Sequence, residues 1–380
     1  MKKIIACTFF ASLIFISDNT FSQNKDFQLV EIQKIGSEYS ENRAYMFSNI
    51  QHIKLAVDKM YITDSSDNAI RVFDGNGTFI HTIGGRGRGP GEFSEITDFY
   101  FDDENQLIVL DRRQSRVTIF DDEKNLLNTK MLPESIHASA QFIYPSDQGY
   151  LLAFINLIQE KQNGHFLHYF DHSFEEKKNE FFDLYEIYFD SGNPFEARLS
   201  KSPTYLSTTF GDNKIAMVPY IYTGTVGTFN KQVMTSSILG IPLDDFYEKH
   251  DWDNRNQIRD NSNESGFGSM SGRSGNYFFR MIGATFGLVG NSNYLLHFYG
   301  RFEEGKILPK VNIYKVGDND FLRTIDLSDN DISFIGVDNT FSFKPLYLDE
   351  ENRLYVADLY YDEAYPAVLI YETNLGQLLH

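Results

Sequence analysis

GTFIHTIGGRGRGPGEFSEITDFYFDDENQLIVLDRRQSRVTIF, residues 77–120, is the stretch that decides the fold. It holds a short apolar strand ending at Ile83, a glycine-rich turn from Gly84 to Gly91, and three strand-like runs separated by polar turns. That is one β-meander with its connector, and the rest of the chain repeats it in weaker form.

The repeated unit is an acidic or Asn/Gly turn followed at once by an apolar strand. It occurs at Asp58–Ile62, Asp103–Val109, Asp147–Leu152, Gly211–Met217, Gly290–Leu296 and Asp349–Val356. Such turns suit tight antiparallel hairpins, because Gly and Asn accept positive φ and Asp bonds nearby backbone N–H groups. Anchored on Tyr61, Leu107, Tyr150, Ile215, Tyr294 and Leu354, the spacings are 46, 43, 65, 79 and 60 residues. Repeats of about 40–50 residues built from four strands are the mark of a propeller blade, with the irregular excess in loops. Aromatic content of 15% agrees, since flat rings pack well on pleated, half-buried surfaces. The fold class predicted is all-β, a six-bladed β-propeller of four-stranded antiparallel blades.

The connector Gly87-Arg88-Gly89-Pro90-Gly91-Glu92-Phe93, the strand Leu107–Asp111 and the run Arg116–Phe120 together resemble an NHL-type propeller repeat. Among propellers of the NHL-like and TolB-like kinds, the chain is most similar to exported six-bladed proteins of Bacteroidetes. The resemblance implies a binding or scaffolding module of the cell envelope.

Blade one is expected from Asn49 to Ile83, blade two from Ile96 to Met131, and blade three from about Ala140 to Phe182. Blade four starts near Tyr205, blade five spans Ile282–Ile325, and blade six runs from Phe341 to Tyr371. The last blade lacks a clear outer strand. Residues 28–35 alternate as a strand and end in Ile-Gly, as residues 78–84 do, so an N-terminal strand is expected to clasp the ring; Leu375–Leu379 is the alternative. A clasp would remove an exposed sheet edge. Residues 250–276 are rich in Asn, Ser, Gly and charge, and the expectation is a flexible insertion at about 250–280, with Trp252 anchoring its start.

Residues 1–22 read as a secretory signal peptide. Lys2 and Lys3 precede the apolar run Ile4–Ile16, and Thr20-Phe21-Ser22 offers a small-x-small cleavage site. The run is shorter than the roughly 20 residues that span a bilayer. Cys7, the single cysteine, stands at the start of that run and not after it, which argues against lipid anchoring. Residues 23–380 are then one propeller domain without disulfides, expected in the periplasm or outside the cell as a monomer. Loss of Lys2, Lys3 and Asp18 leaves 32 basic against 52 acidic residues, a formal charge of −20. That surface excludes nucleic acid and anionic lipid as partners, since both need a cationic footprint. The expected partner is a protein, peptide or glycan.

Five arginines break the acidic pattern. In a four-stranded blade the outer-to-inner connector and the turn between the second and third strands share one face. Arg86, Arg88, Arg112, Arg113 and Arg116 are therefore expected to form a patch for anions or carboxylates, which guanidinium groups engage bidentately. The alternative is local pairing with Glu92, Asp111, Asp121 and Asp122. The glycine-rich loop is not read as a phosphate site, because Pro90 and the following strand pattern exclude the helix that such a site needs. His165, His168 and His172 lie on a strand where residues three apart face opposite ways, which excludes a shared ion. No G-x-S-x-G elbow is present. No cofactor is expected; the alternative is an enzyme of the lactonase or lyase type, with calcium or zinc held in the central channel. Propellers of that kind resemble this chain, and Asp98 is one acid near the inner strands, but no run here matches their ligand motifs.

Overall fold

The computed structural model describes residues 27–37, 39–121, 123–132, 140–146, 149–154, 167–178, 193, 196, 205–262, 264–272, 275–317, 321–328, 341–361 and 365–378. Residues 1–22 with Cys7, and Asp122, His165 and Leu379, lie outside these residues, as does part of the span predicted for blade three.

Strand β1 (Leu29–Ile35) precedes the first blade, which is β2 (Ile50–Ala56), β3 (Lys59–Asp64), β4 (Ala69–Asp74) and β5 (Phe79–Gly84). Blade two is β6 (Ile96–Phe101), β7 (Leu107–Asp111), β8 (Arg116–Phe120) and β9 (Leu126–Met131). Blade three is β10 (Ala140–Ser146), β11 (Gly149–Phe154), β12 (Leu167–Asp171) and β13 (Glu176–Lys178). Blade four is β14 (Tyr205–Phe210), β15 (Lys214–Pro219), β16 (Thr225–Asn230) and β17 (Thr235–Gly240). After a three-stranded sheet of β18 (Tyr247–His250), β19 (Phe267–Gly272) and β20 (Gly275–Met281) comes blade five: β21 (Gly283–Gly290), β22 (Tyr294–Glu303), β23 (Lys306–Lys315) and β24 (Phe321–Asp326). Blade six is β25 (Phe343–Leu348), β26 (Arg353–Tyr361) and β27 (Tyr365–Thr373), completed by β1 in the order β1-β27-β26-β25.

The N-terminal strand therefore supplies the fourth strand of the last blade. It runs antiparallel to β27, with Leu29 opposite Thr373 and Ile35 opposite Val368. Leu375–Gln377, the alternative, forms a 3-10 turn instead. Asp and Asn set the hairpins by accepting backbone N–H bonds from residues two to four ahead. Asp74 accepts from Asn76 and Thr78, Asp102 from Glu104 and Gln106, Asp171 from Ser173 and Glu175, and Asp349 from Glu351 and Arg353. This is the Asx turn, in which the side chain imitates a backbone acceptor.

The blades pack face to face, and each interface owns a hydrophobic cluster. Ile70, Val72 and Ile83 of blade one meet Phe93, Phe99 and Val109 of blade two. Ile108, Leu110 and Val117 meet Ile143, Leu152 and Phe170 at the next interface. The ring closes where Ile50, Ile62 and Phe73 of blade one meet Ala357, Val368 and Ile370 of blade six. Burial on both faces explains why the second strands are nearly all apolar and do not alternate. That loss of alternation has a consequence for register. Met60, Leu107, Tyr150, Ile215, Leu295 and Leu354 face the preceding blade, whereas Tyr61 and Tyr294 face the following one. Two of the six sequence anchors were thus one residue out of phase.

Residues 250–276, expected as a flexible insertion, carry regular secondary structure. They hold helix α1 (Arg255–Asn261) and most of the three-stranded sheet. Phe246, Phe279 and Met281, which flank the polar run, join the cluster of blades three and four, and within the sheet the Phe267 and Phe278 rings stack at 5.3 Å. Trp252 packs under the Arg255 guanidinium at 4.4 Å, at the start of α1.

Candidate functional site

The connector of blade two folds back on itself as a hairpin. Phe93 N–H donates to Gly85 O at 2.7 Å, Gly87 N–H to Phe93 O at 3.0 Å, and the Glu92 carboxylate accepts Gly89 N–H at 2.8 Å. Gly84 has φ +75°, and a Cβ there would lie 2.3 Å from the Phe93 ring, so only glycine fits. The loop leads into β6 and not into a helix.

Two buried groups pin the connector. Asp111, fully buried at the end of β7, accepts N–H bonds from Ser94 at 2.8 Å and Gln114 at 3.0 Å, and also takes the Gln114 amide at 2.7 Å. Arg116, 7% exposed, donates to the carbonyls of Gly89, Glu92 and Arg88. Blade one repeats the arrangement, with Asp64 holding Ser48, Asn49 and Ser66 N–H groups, and Arg71 holding the Ala44 and Met46 carbonyls.

The five predicted arginines lie on the connector and on the turn and strand it folds against, in three different states. Arg116 is buried in the scaffold and cannot dock a ligand. Arg112 is half-buried, ion-paired with Glu95 and donating to Gln141 Oε1 at 2.9 Å. Arg113, with 72% of its side chain exposed, lies 3.7 Å from the same Glu95. Arg86 is exposed and spends one nitrogen on Ser66 O at 2.9 Å, and the exposed Arg88 side chain has no partner among the described residues. The acid that pairs locally is Glu95, which sequence reasoning missed; Glu92, Asp111 and Asp121 are spent on backbone N–H groups instead.

A second group of polar side chains lies where the first strands of the blades meet. These strands touch in sequence around the ring: β2 with β6, β6 with β10, β14 with β21, β21 with β25, and β25 with β2. The remaining step is a hydrogen bond between Tyr144 Oη on β10 and Ser207 Oγ on β14. On this inner ring Lys54 Nζ sits 2.6 Å from Asp98 Oδ1 and donates to Phe99 O, while Asp98 Oδ2 accepts Ile143 N–H at 3.0 Å. Asp98 thereby ties three blades together. His52, two residues before Lys54, has its pKa lowered to about 4: burial dominates and Lys54 and Lys344 add to it, against a raising pull from Asp98. Burial also lowers the Lys344 amine. His297, between blades four and five, is lowered to about 3 by burial and shares its Nε2 with Thr285 Oγ1 at 2.9 Å.

Among the described residues no three His, Cys, Asp or Glu side chains stand together as metal ligands. Asp98 lies on the inner ring, where its carboxylate pairs with Lys54. His168 is buried against the Phe154 ring at 4.6 Å, and His172 lies beside Tyr150 at 5.8 Å, so the two serve different packing roles.

Blades of antiparallel strands closed about an axis, with loops gathered at their ends, define a β-propeller. Within that class, residues 41–280 match the sequence model of a domain of unknown function, DUF4934, and the chain belongs to that family. No curated protein matches the sequence. Among solved structures, it is similar to a Bacteroides fragilis protein predicted to be exported, at 14% identity and TM-score 0.56, covering 92% of this chain and 95% of that one. A member of the DUF4221 family from Bacteroides vulgatus matches at 9% identity and TM-score 0.56, over 93% and 99% of the two chains. A streptogramin B lyase aligns over 90% and 97% of the two chains at 10% identity, with TM-score 0.46. No helix among the described residues is long and apolar enough to cross a membrane.

Proposed function

We propose that the chain is an exported, non-enzymatic binding propeller of the NHL-like type, holding a carboxylate-bearing peptide, glycan or protein partner at the connector end of blade two. The observation that carries this reading is the division of labour among the arginines. Arg116 and Asp111 fix the connector, and the loop so fixed presents Arg86 and Arg88 outward, beside Arg113, in a chain of net charge −19. Rigid presentation lowers the entropic cost of binding, and an unpaired guanidinium keeps both of its donor edges for a carboxylate. The export of the chain rests on residues 1–22 and on the likeness to a Bacteroides protein predicted to be exported.

The test is calorimetric titration with acetylated tri-glutamate and with tri-galacturonate. Saturable binding is expected, weakened at least tenfold in the Arg86→Glu/Arg88→Glu variant, which keeps its circular dichroism spectrum and unfolding midpoint. Equal binding by that variant, or none by the wild type, overturns the reading.

A further inference from the structure

We propose that a cavity between blades one and two, at the end opposite the connectors, binds a small monocarboxylate with a flat apolar body, of the benzoate kind. The site lies away from the arginines and does not depend on them. Its residues come from the β2–β3, β6–β7 and β8–β9 turns and the strand ends beside them. The cavity measures about 140 Å³. Its apolar walls are Val57 and the Tyr61 and Phe101 rings, whose centroids are 4.5 Å apart, and its polar lining is Lys59, Asn105 and Lys124. A cavity of about 150 Å³ holds benzene, so this space suits a single ring.

Val57 distinguishes the cavity from a chance gap between blades. With Asp58 it makes the two-residue β2–β3 turn, at φ +48° and +56°. A turn with positive φ at both places favours Asn or Gly. The matching turns of four other blades comply, placing Asn105, Gly149, Gly211 and Asn352 at positive φ. A β-branched valine is strained there, and at 65% exposure no core burial offsets the strain. What the valine supplies is a wall of this cavity.

The polar lining sets the charge of the ligand. Lys124 is already engaged, donating to Asn105 O at 2.9 Å and Asp121 O at 3.2 Å, with its ammonium 5.2 Å from the Phe101 ring. Lys59, the Tyr61 hydroxyl and the Asn105 side-chain amide have no hydrogen bond or ion pair among the described residues. Lys59 and Tyr61, two apart on β3, share a face. No acidic side chain is among the lining residues, and Asp102 and Asp121 in the bordering turns accept backbone N–H bonds. His81, in one cross-strand row with Val72 and Tyr61, has its pKa lowered by burial and then by Lys59 and Lys124, which marks a positive local potential in a chain of net charge −19. Three groups able to donate, one of them cationic, are matched by an acceptor bearing one negative charge.

The experiment titrates 4-fluorobenzoate into the whole chain and follows its fluorine resonance. Saturable binding is expected, roughly tenfold weaker in Lys59→Met and roughly threefold weaker in Val57→Asn, and unchanged in Arg86→Glu/Arg88→Glu. Val57→Asn should also raise the urea midpoint, because it relieves the turn, so its loss of binding cannot come from unfolding. 4-Fluorobenzyl alcohol, the ring without the charge, should bind roughly tenfold less well, and acetate, the charge without the ring, should displace fluorobenzoate only at roughly tenfold higher concentration. No saturable binding, or binding indifferent to both Lys59→Met and Val57→Asn, overturns the site. Equal binding of the alcohol overturns the assignment of charge, and equal displacement by acetate overturns the need for a flat body.

Discussion

Arg71 and Arg116 reach the same carbonyl of successive connectors, that of Met46 and that of Glu92, from strand positions two residues apart. The register fixes the offset: Ala69 pairs with Asp64 as Arg116 pairs with Asp111, so Arg71 stands two residues further along its strand. A long, planar donor can serve one acceptor from either place. The duty of tying down the connector persists while the position that performs it has moved.

Loss of Arg116 should therefore act on stability and loss of Arg88 should not. Arg116→Ala strands buried carbonyls and is expected to cost about 2–4 kcal/mol, whereas Arg88→Ala stays within about 0.5 kcal/mol. Urea unfolding of the two variants decides it; similar midpoints would contradict the separation of roles.

Asp111 faces only donors. In Asp111→Asn an amide NH₂ must turn toward backbone N–H groups, and a loss of about 2–4 kcal/mol is expected. Asp74→Asn, at an Asx turn where one accepting oxygen suffices, should stay within about 0.5 kcal/mol.

His52 and His297 predict how stability follows pH. Both folded-state pKa values lie below the ordinary 6.5, near 4 and 3. Below pH 6.5 the unfolded chain takes up protons that the folded chain refuses. The contribution is complete above pH 6.5 and is lost progressively as pH falls toward 4 for His52 and 3 for His297. Each should cost on the order of 2 kcal/mol between pH 6.5 and 4.5. Unfolding midpoints across that window should slope upward with pH, and His297→Gln should remove about half of the slope. An unchanged slope in the variant would speak against a buried neutral imidazole.

Removing residues 27–35 takes away the strand that covers the β27 edge, together with the buried Phe27 and Ile35. An open edge seeks another strand. The truncated chain is expected to melt more than about 10 °C lower and to self-associate with rising concentration, as followed by scanning calorimetry and gel filtration. A monomer with an unshifted melting point would show the clasp to be dispensable.

Architecture was legible in the sequence because its signals are local. Asp74, Asp102 and Asp349 announce their own turns, and the span Ile96–Met131 emerged with the bounds predicted for it. Phase within the second strands was not legible. Runs such as Met60-Tyr61-Ile62 are buried on both sides, so nothing in the pattern says which face a residue takes, and a slip of one residue turns Tyr61 to the wrong blade. The three-stranded sheet was hidden for another reason: Phe246, Phe279 and Met281, which bury it, stand outside the polar window that characterised the segment. Of the arginine patch, the sequence gives the shared end of the blade but not the split of duties. Whether a guanidinium meets carbonyls, as Arg116 does, or solvent, as Arg88 does, depends on a fold-back between residues some 25 apart in the chain.

Hydrogen exchange in the presence of acetylated tri-glutamate tests the central claim most directly, because it reports where the ligand lies. Slowed exchange confined to residues 85–92 and 112–115 is predicted, with the opposite ends of the same strands, at 75–78 and 103–106, unchanged. Protection at those opposite turns, or at neither end, would contradict a binding surface built on the arginine-bearing connector.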